Sequence, residues 1–226
     1  MLLIKNAYIK TMVTEDIPHG CILIGDDGKI LSVGTDLEAP AGTEVIDAGG
    51  RLVTPGCIDA HCHIGLDNEG MGWEGHDYNE IVEPLTPQLR AIDSINPMDE
   101  AFTNALAGGV TSACTGPGSA NVVGGTFVAI KLCGKRVDKM ILKAPAAMKC
   151  ALGENPKNTY HSKDETPSTR MATAAIIREQ LKKAERYQRD LLAAEEDEDT
   201  DEPEIDVKSE ALVEVVDGSI QAHFHA

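Results

Sequence analysis

Aromatic residues make up only 4% of the chain, so any core must be mainly aliphatic, which a hydrophobic fraction of 42% permits. Positive charge is also short. Lys and Arg number 20 against 37 Asp and Glu, a formal net charge of -17, which excludes nucleic acid as a general partner. Much of the excess is local: nine of the twelve positions from Glu195 to Asp206 are acidic, the composition of a solvated loop or frayed helix end. The six cysteines (21, 57, 62, 114, 133 and 150) contain no CxxC pair, a pattern of reduced, buried thiols rather than a disulfide framework. No stretch approaches the ~20 apolar residues of a membrane span, and Met1–Asn6 is too short for a signal peptide. The chain therefore reads as soluble and cytoplasmic, with no membrane partner. Its 226 residues suffice for one large domain or two small ones.

Residues 1–54 read as strands throughout. Leu2–Thr11 alternates, Cys21–Ile24 and Lys29–Val33 flank Asp26-Asp-Gly28, and Glu44–Asp47 and Arg51–Val53 flank Gly49-Gly50. Both glycine turns have hairpin chemistry. These strands suit a small β-sandwich that needs further strands from elsewhere. From Pro55 the rhythm becomes strand and helix. Gly56–Cys62, Val110–Cys114, Thr126–Leu132, Met148–Leu152 and Ser219–His225 read as five strands. Asn96-Pro97 and Thr166-Pro167 read as helix starts, with the polar residue as cap and proline at the first helical position. The longer helix carries a stripe from Met171 through Ile177 and Leu181 to Leu191. Strands alternating with helices predict βαβ units and a parallel sheet, whose ligands gather at the carboxyl ends of strands.

The polar candidates fall at such ends. His61 and His63 stand two apart on one strand and share a face, so two imidazoles converge there. A carboxylate after the fourth strand, Glu154, and a histidine of the fifth, His223, would complete mixed N/O ligation suited to zinc. Lys149 is the rival to Glu154, because a strand lysine can be carbamylated and bridge two metals. Glu154 is preferred for its place past the strand end. The glycine-rich stretch Thr115–Gly125 either offers backbone amides to a substrate carbonyl or carboxylate or is a plain connection; it contains no phosphate loop. Trp73, His76 and Asp77 are candidates to line a pocket.

The string Val53-Thr-Pro-Gly-Cys-Ile-Asp-Ala-His-Cys-His63, with Gly108-Gly-Val-Thr-Ser112 and Ala222-His-Phe-His225, resembles the amidohydrolase superfamily, especially its imidazolonepropionase-like and cyclic-amidohydrolase branches. The resemblance spans essentially the whole chain. It implies an α/β fold, a TIM (β/α)8 barrel beside a small β-sandwich, with one or two zinc or other divalent ions. The implied reaction is hydrolysis of a small-molecule amide or cyclic amide, a C–N bond other than a peptide bond, through a metal-activated water. Carried over by position, His61 and His63 match the first two ligands, Glu154 or Lys149 the strand-four ligand and His223 the strand-five ligand.

The match is incomplete. Removing the 53 residues before the barrel leaves 226 − 53 = 173, whereas a full barrel takes about 250. The strand-six histidine and the strand-eight aspartate that serves as general base in the resembled family have no counterpart. The expectation is therefore a partial barrel: an incomplete β-sandwich segment over 1–54 and the first five βα units over 55–226, self-associating as a homo-oligomer. Catalysis by this chain alone is not expected. The alternative is a truncated, non-catalytic chain that self-associates through an exposed sheet edge.

Overall fold

The alternating residues at the start of the chain form β1 (Leu2–Ile9) in a computed structural model that describes all 226 residues. Contacts divide the chain into two units, Met1–Gly56 and Cys57–Ala226. In the first, β1 pairs antiparallel with β2 (Ile17–Ile24), and β2 antiparallel with β3 (Ile30–Gly34) across the turn at Gly28, whose φ is +75°. The hairpin expected at Gly49-Gly50 does not form. β4 (Glu44–Asp47) and β5 (Leu52–Val53) both run parallel to β1 and occupy successive stretches of it, Leu2 to Lys5 and then Tyr8 to Ile9. The two glycines, at φ +59° and +78°, make a jog rather than a reversal. The jog turns Ala48 inward, where it packs with Ala7, Ile9 and Ile22.

The second unit is built on one five-stranded sheet in the order β10-β9-β8-β7-β6. Its strands are β6 (Cys57–Cys62), β7 (Val110–Thr115), β8 (Val123–Lys131), β9 (Ile141–Ala151) and β10 (Gln221–His225). The sheet is mixed, which corrects the expectation of five consecutive βα units. β6 and β7 are parallel, as are β9 and β10, but β8 runs antiparallel to both neighbours. Loop length explains this: a parallel crossover takes a dozen or more residues, and the stretches 116–122 and 132–140 are both shorter. β8 and β9 also begin earlier than expected, at Val123 and Ile141.

Four helices complete the unit: α1 (Glu100–Ala107), α2 (Glu154–His161), α3 (Arg170–Glu196) and α4 (Val207–Val216). Both proline-based helix starts were misplaced by a few residues. α1 is capped by Asp99, whose carboxylate accepts from Ala101 N, while Asn96 forms its own turn by accepting from Met98 N. α3 is capped by Thr169, whose hydroxyl accepts from Ala172 N. A proline suits the turn ahead of a helix as well as its first residue. Leu66, Ile95 and Phe102 pack with Val128 and Ile130 of β8, and Ile177, Ala184 and Leu212 of α3 and α4 with Met148 and Cys150 of β9. The stripe expected to begin at Met171 is buried only from Thr173, and Met171 itself is exposed. The acidic run supplies the last residues of α3, a connecting segment and the cap of α4, Asp206. No helix is long and apolar enough to cross a membrane.

Asp99 is a buried cap with two backbone donors, Ala101 N at 2.7 Å and Glu69 N at 3.0 Å. Asp99→Ala therefore lowers the free energy of unfolding in urea by about 2 kcal/mol, and Asp99→Asn by less. A loss below about 0.5 kcal/mol for the alanine variant contradicts the assigned cap.

Candidate metal centre

Covering one face of the sheet with helices leaves the alternate residues of each strand for the opposite face. On β9, Met148 and Cys150 pack toward α3 and α4, so Lys149 points the other way. Pairing then sets Lys149 beside His223 of β10 on one side and Gly125 of β8 on the other. Gly124 lies beside the lysine stem; a Cβ there would stand in ordinary contact, 3.5 Å from Lys149 Cγ, and closer, at 3.3 Å, to Pro117 Cβ. At Gly125, φ is +115° and a Cβ would meet Leu89 O at 2.4 Å, so no other residue fits there.

His61 and His63, at the end of β6, join this row. Lys149 Nζ lies 3.0 Å from His61 Nε2, an amine donor facing a ring nitrogen. The His61 ring centroid stands 5.8 Å from that of His63 and 5.9 Å from that of His223. His63 Nδ1 is 2.7 Å from Gly116 O, and because a carbonyl only accepts, Nδ1 carries the proton and Nε2 keeps its lone pair. His223 Nδ1 is buried with no hydrogen-bond partner. Beneath them lies Phe127, 4.8 Å from His61 and 5.6 Å from His223 between centroids.

Electrostatics follow from this crowding. Burial, then the charge of Lys149 and the neighbouring histidines, hold His61 at about 4. Burial lowers the proton affinity of Lys149 as well. Cys150, on the helix side, is pushed up to about 12 by burial and behaves as a core hydrophobe.

The structure thus brings together His61, His63, His223 and Lys149. Glu154 is elsewhere: it opens α2 as an exposed first-turn residue and lines a separate cavity with Asn155, Arg170 and His225. The preference for Glu154 over Lys149 loses its geometric basis, because the helix starts immediately after the strand and carries the carboxylate off the row. His225 meets the Ser119 hydroxyl and adds, as the smallest influence, to the lowering of His61. The glycine-stretch amides are largely committed: Gly116 N donates to Cys62 O, Gly118 N to Tyr78 O and Ala120 N to Asn79 Oδ1. Trp73, His76 and Asp77 line a 610 Å³ cavity, joined by Tyr78, Pro117 and Gly124. Tyr78 also lies 5.8 Å from the His63 ring. Phe127 is a functional candidate that sequence reasoning missed, and Gly116, expected to offer its amide, instead contributes its carbonyl to His63. Alternation in β8 separates Phe127 from Val128, but only pairing shows which face meets the histidines.

No three His, Cys, Asp or Glu side chains stand together in ligating geometry. His61, with His63 and His223 on either side and the Lys149 amine against it, falls short of that geometry. The chemistry of the set suits a divalent ion on two observations: the bare nitrogen of His223 and the free lone pair of His63. Imidazoles sharing one metal at ~2.1 Å lie roughly 5–6 Å apart between centroids, which matches the spacing of His61 to each of its two partners.

No family model matches the chain. It is 35% identical over 159 residues to amidohydrolase tasK of Hapsidospora irregularis, 65% of this chain and 16% of that protein. It is 32% identical over 118 residues to a dihydroorotase of Caldicellulosiruptor saccharolyticus, 52% of this chain and 22% of that one. A crystal structure of an amidohydrolase from Thermotoga maritima MSB8 superposes over 100% of this chain at a TM-score of 0.94 and 40% identity. This chain covers 58% of that one, so it spans less than two thirds of each relative.

His61 makes the metal-free protein sensitive to acid. Its folded-state value of about 4 lies below the ordinary 6.5, so the unfolded chain takes up the proton first. Stability of metal-free protein falls as pH drops from about 6.5 to about 4, and His61→Asn flattens that fall in urea titrations. Equal slopes for the two proteins contradict the lowered proton affinity of His61, whose side chain is partly exposed, in the folded chain.

Proposed function

Because the chain belongs to the amidohydrolase superfamily, we propose that it carries the early part of the active site of a metal-dependent hydrolase acting on an amide or cyclic amide. The observation that carries this reading is the convergence of His61, His63, His223 and Lys149 on one face of the sheet. The relatives support hydrolysis of C–N bonds; zinc, as one ion or two, is part of the proposal. A bound divalent ion supplies Lewis acidity at a substrate carbonyl and lowers the pKa of a water.

The residues of the chain do the rest. His63 is held by Gly116 O in the tautomer that presents Nε2, and His223 contributes a buried Nδ1 with no hydrogen-bond partner. Lys149, whose proton affinity burial lowers, would, once deprotonated, ligate through its nitrogen or add carbon dioxide, releasing a proton, to become a carbamate. Phe127 excludes water from beneath the group. The cavity bounded by Tyr78, Pro117 and Gly124 receives a small-molecule substrate. On this reading the sheet is part of a (β/α)8 barrel and the first unit part of a β-sandwich. A general-base aspartate would come from a longer chain, and cytoplasmic location is part of the same proposal.

A second reading is favoured by the sheet edges. β6 and β10 are unpaired on their outer sides and Ile58 is exposed, a surface able to pair with another copy. A non-catalytic chain that self-associates there would change elution volume with concentration and hold no metal.

Zinc titration by calorimetry separates the two. Zinc binds the wild-type chain, and His61→Ala, His63→Ala or Lys149→Ala each weakens it by about tenfold or more, whereas Glu154→Ala leaves it unchanged. Absence of zinc binding by folded wild-type protein at neutral pH contradicts the hydrolase reading.

A further inference from the structure

The strand that breaks the parallel pattern, β8, delivers one large side chain to the histidine face. Phe127 is 1% exposed, and its ring lies 4.8 Å from His61 and 5.6 Å from His223 between centroids. Lys149 Nζ stands 5.8 Å from the same ring centre. Three of the four candidate ligands therefore rest on one aromatic surface.

The fourth is tied to that surface through the backbone. A Cβ on Gly116 would fall 2.3 to 2.6 Å from three carbons of the Phe127 ring, so residue 116 has no room for a side chain while the ring stays in place. The carbonyl of the same Gly116 fixes the His63 tautomer. Ring and loop thus seat each other, and the loop holds His63. Small residues make the seat possible: Ala147, fully buried, is the register partner of Phe127 on β9.

We propose that Phe127 is a positioning residue for the metal centre, a rigid floor that sets the tilt and separation of His61 and His223 and, through Gly116, the orientation of His63. The inference rests on the hydrolase reading and deepens it. Phe127 supplies no lone pair. It acts by restricting the imidazoles to rotamers whose nitrogens converge, and by keeping water from reaching them from below. A flat ring resists compression between packed strands. An aliphatic side chain of similar volume fills the space but lets the imidazoles rock.

Cobalt(II) titration of the full chain tests this, because cobalt absorption in the visible reports coordination geometry independently of any activity. Wild-type protein takes up the ion with a defined spectrum. Phe127→Leu weakens binding by about tenfold and alters the band, and Gly116→Ala, which displaces the ring from the other side, does the same. Phe127→Tyr, which keeps a flat ring, restores much of the affinity. Circular dichroism and melting confirm that the variants compared are folded; if Phe127→Leu does not fold, Gly116→Ala and Phe127→Tyr carry the comparison. A purely structural role lowers the melting temperature and leaves the affinity and spectrum of the folded protein unchanged, and that result overturns the proposal. Wild-type protein that takes up no metal sinks the hydrolase reading instead, and this inference with it.

Discussion

Lys149 lies fully buried in the middle of a sheet, where an ammonium group loses the hydration an exposed lysine keeps. Two local features bear on that cost. His61 Nε2 faces its nitrogen at 3.0 Å, and the Phe127 ring centre lies 5.8 Å away. Burial lowers the affinity of the amine for a proton. The neighbours are constrained as well. Burial and the lysine charge lower the proton affinity of His61, Phe127 needs Gly116 to have no side chain, and Gly125 is held to glycine by Leu89.

The reversed strand β8 is the structural device that allows the arrangement. A parallel crossover between β7 and β9 would have put a helix where the short loops now run. The antiparallel pass instead brings the amino end of β8, with its two glycines, to the side where β6, β7 and β9 have their carboxyl ends. Glycine-rich backbone and histidine side chains thereby meet at one level of the sheet. The helix layer made by α3 and α4 needs only Met148 and Cys150 from β9, which leaves Lys149 for the opposite face.

Part of this was legible in the residues alone. The HxH pair after Pro55-Gly56 and the second HxH at the end of the chain marked strands carrying polar groups on one face. His61 lies near both His63 and His223, at 5.8 and 5.9 Å between ring centroids, and alternation along a strand is a local rule. What escaped was non-local. Whether Lys149 or Glu154 joins them depends on where β9 stops and α2 begins, and on which face of β9 the helices cover. The direction of β8 was in principle readable from loops too short for a crossover, but the glycines drew attention as a binding loop. Phe127 gave no signal, since an aromatic residue in a strand reads as core. Prolines misled at Pro97 and Pro167 because they favour turns before helices as well as helix starts.

The family assignment and the local geometry bear on one claim: three imidazoles and a buried lysine form a single binding centre. X-ray absorption at the zinc edge, on the zinc-loaded chain, tests it most directly. The account requires a first shell of nitrogen or oxygen atoms at ~2.0–2.2 Å, with outer-shell scattering from three imidazole rings. Sulfur scattering at ~2.3 Å, or a shell without imidazole signatures, would place the ion elsewhere and contradict it.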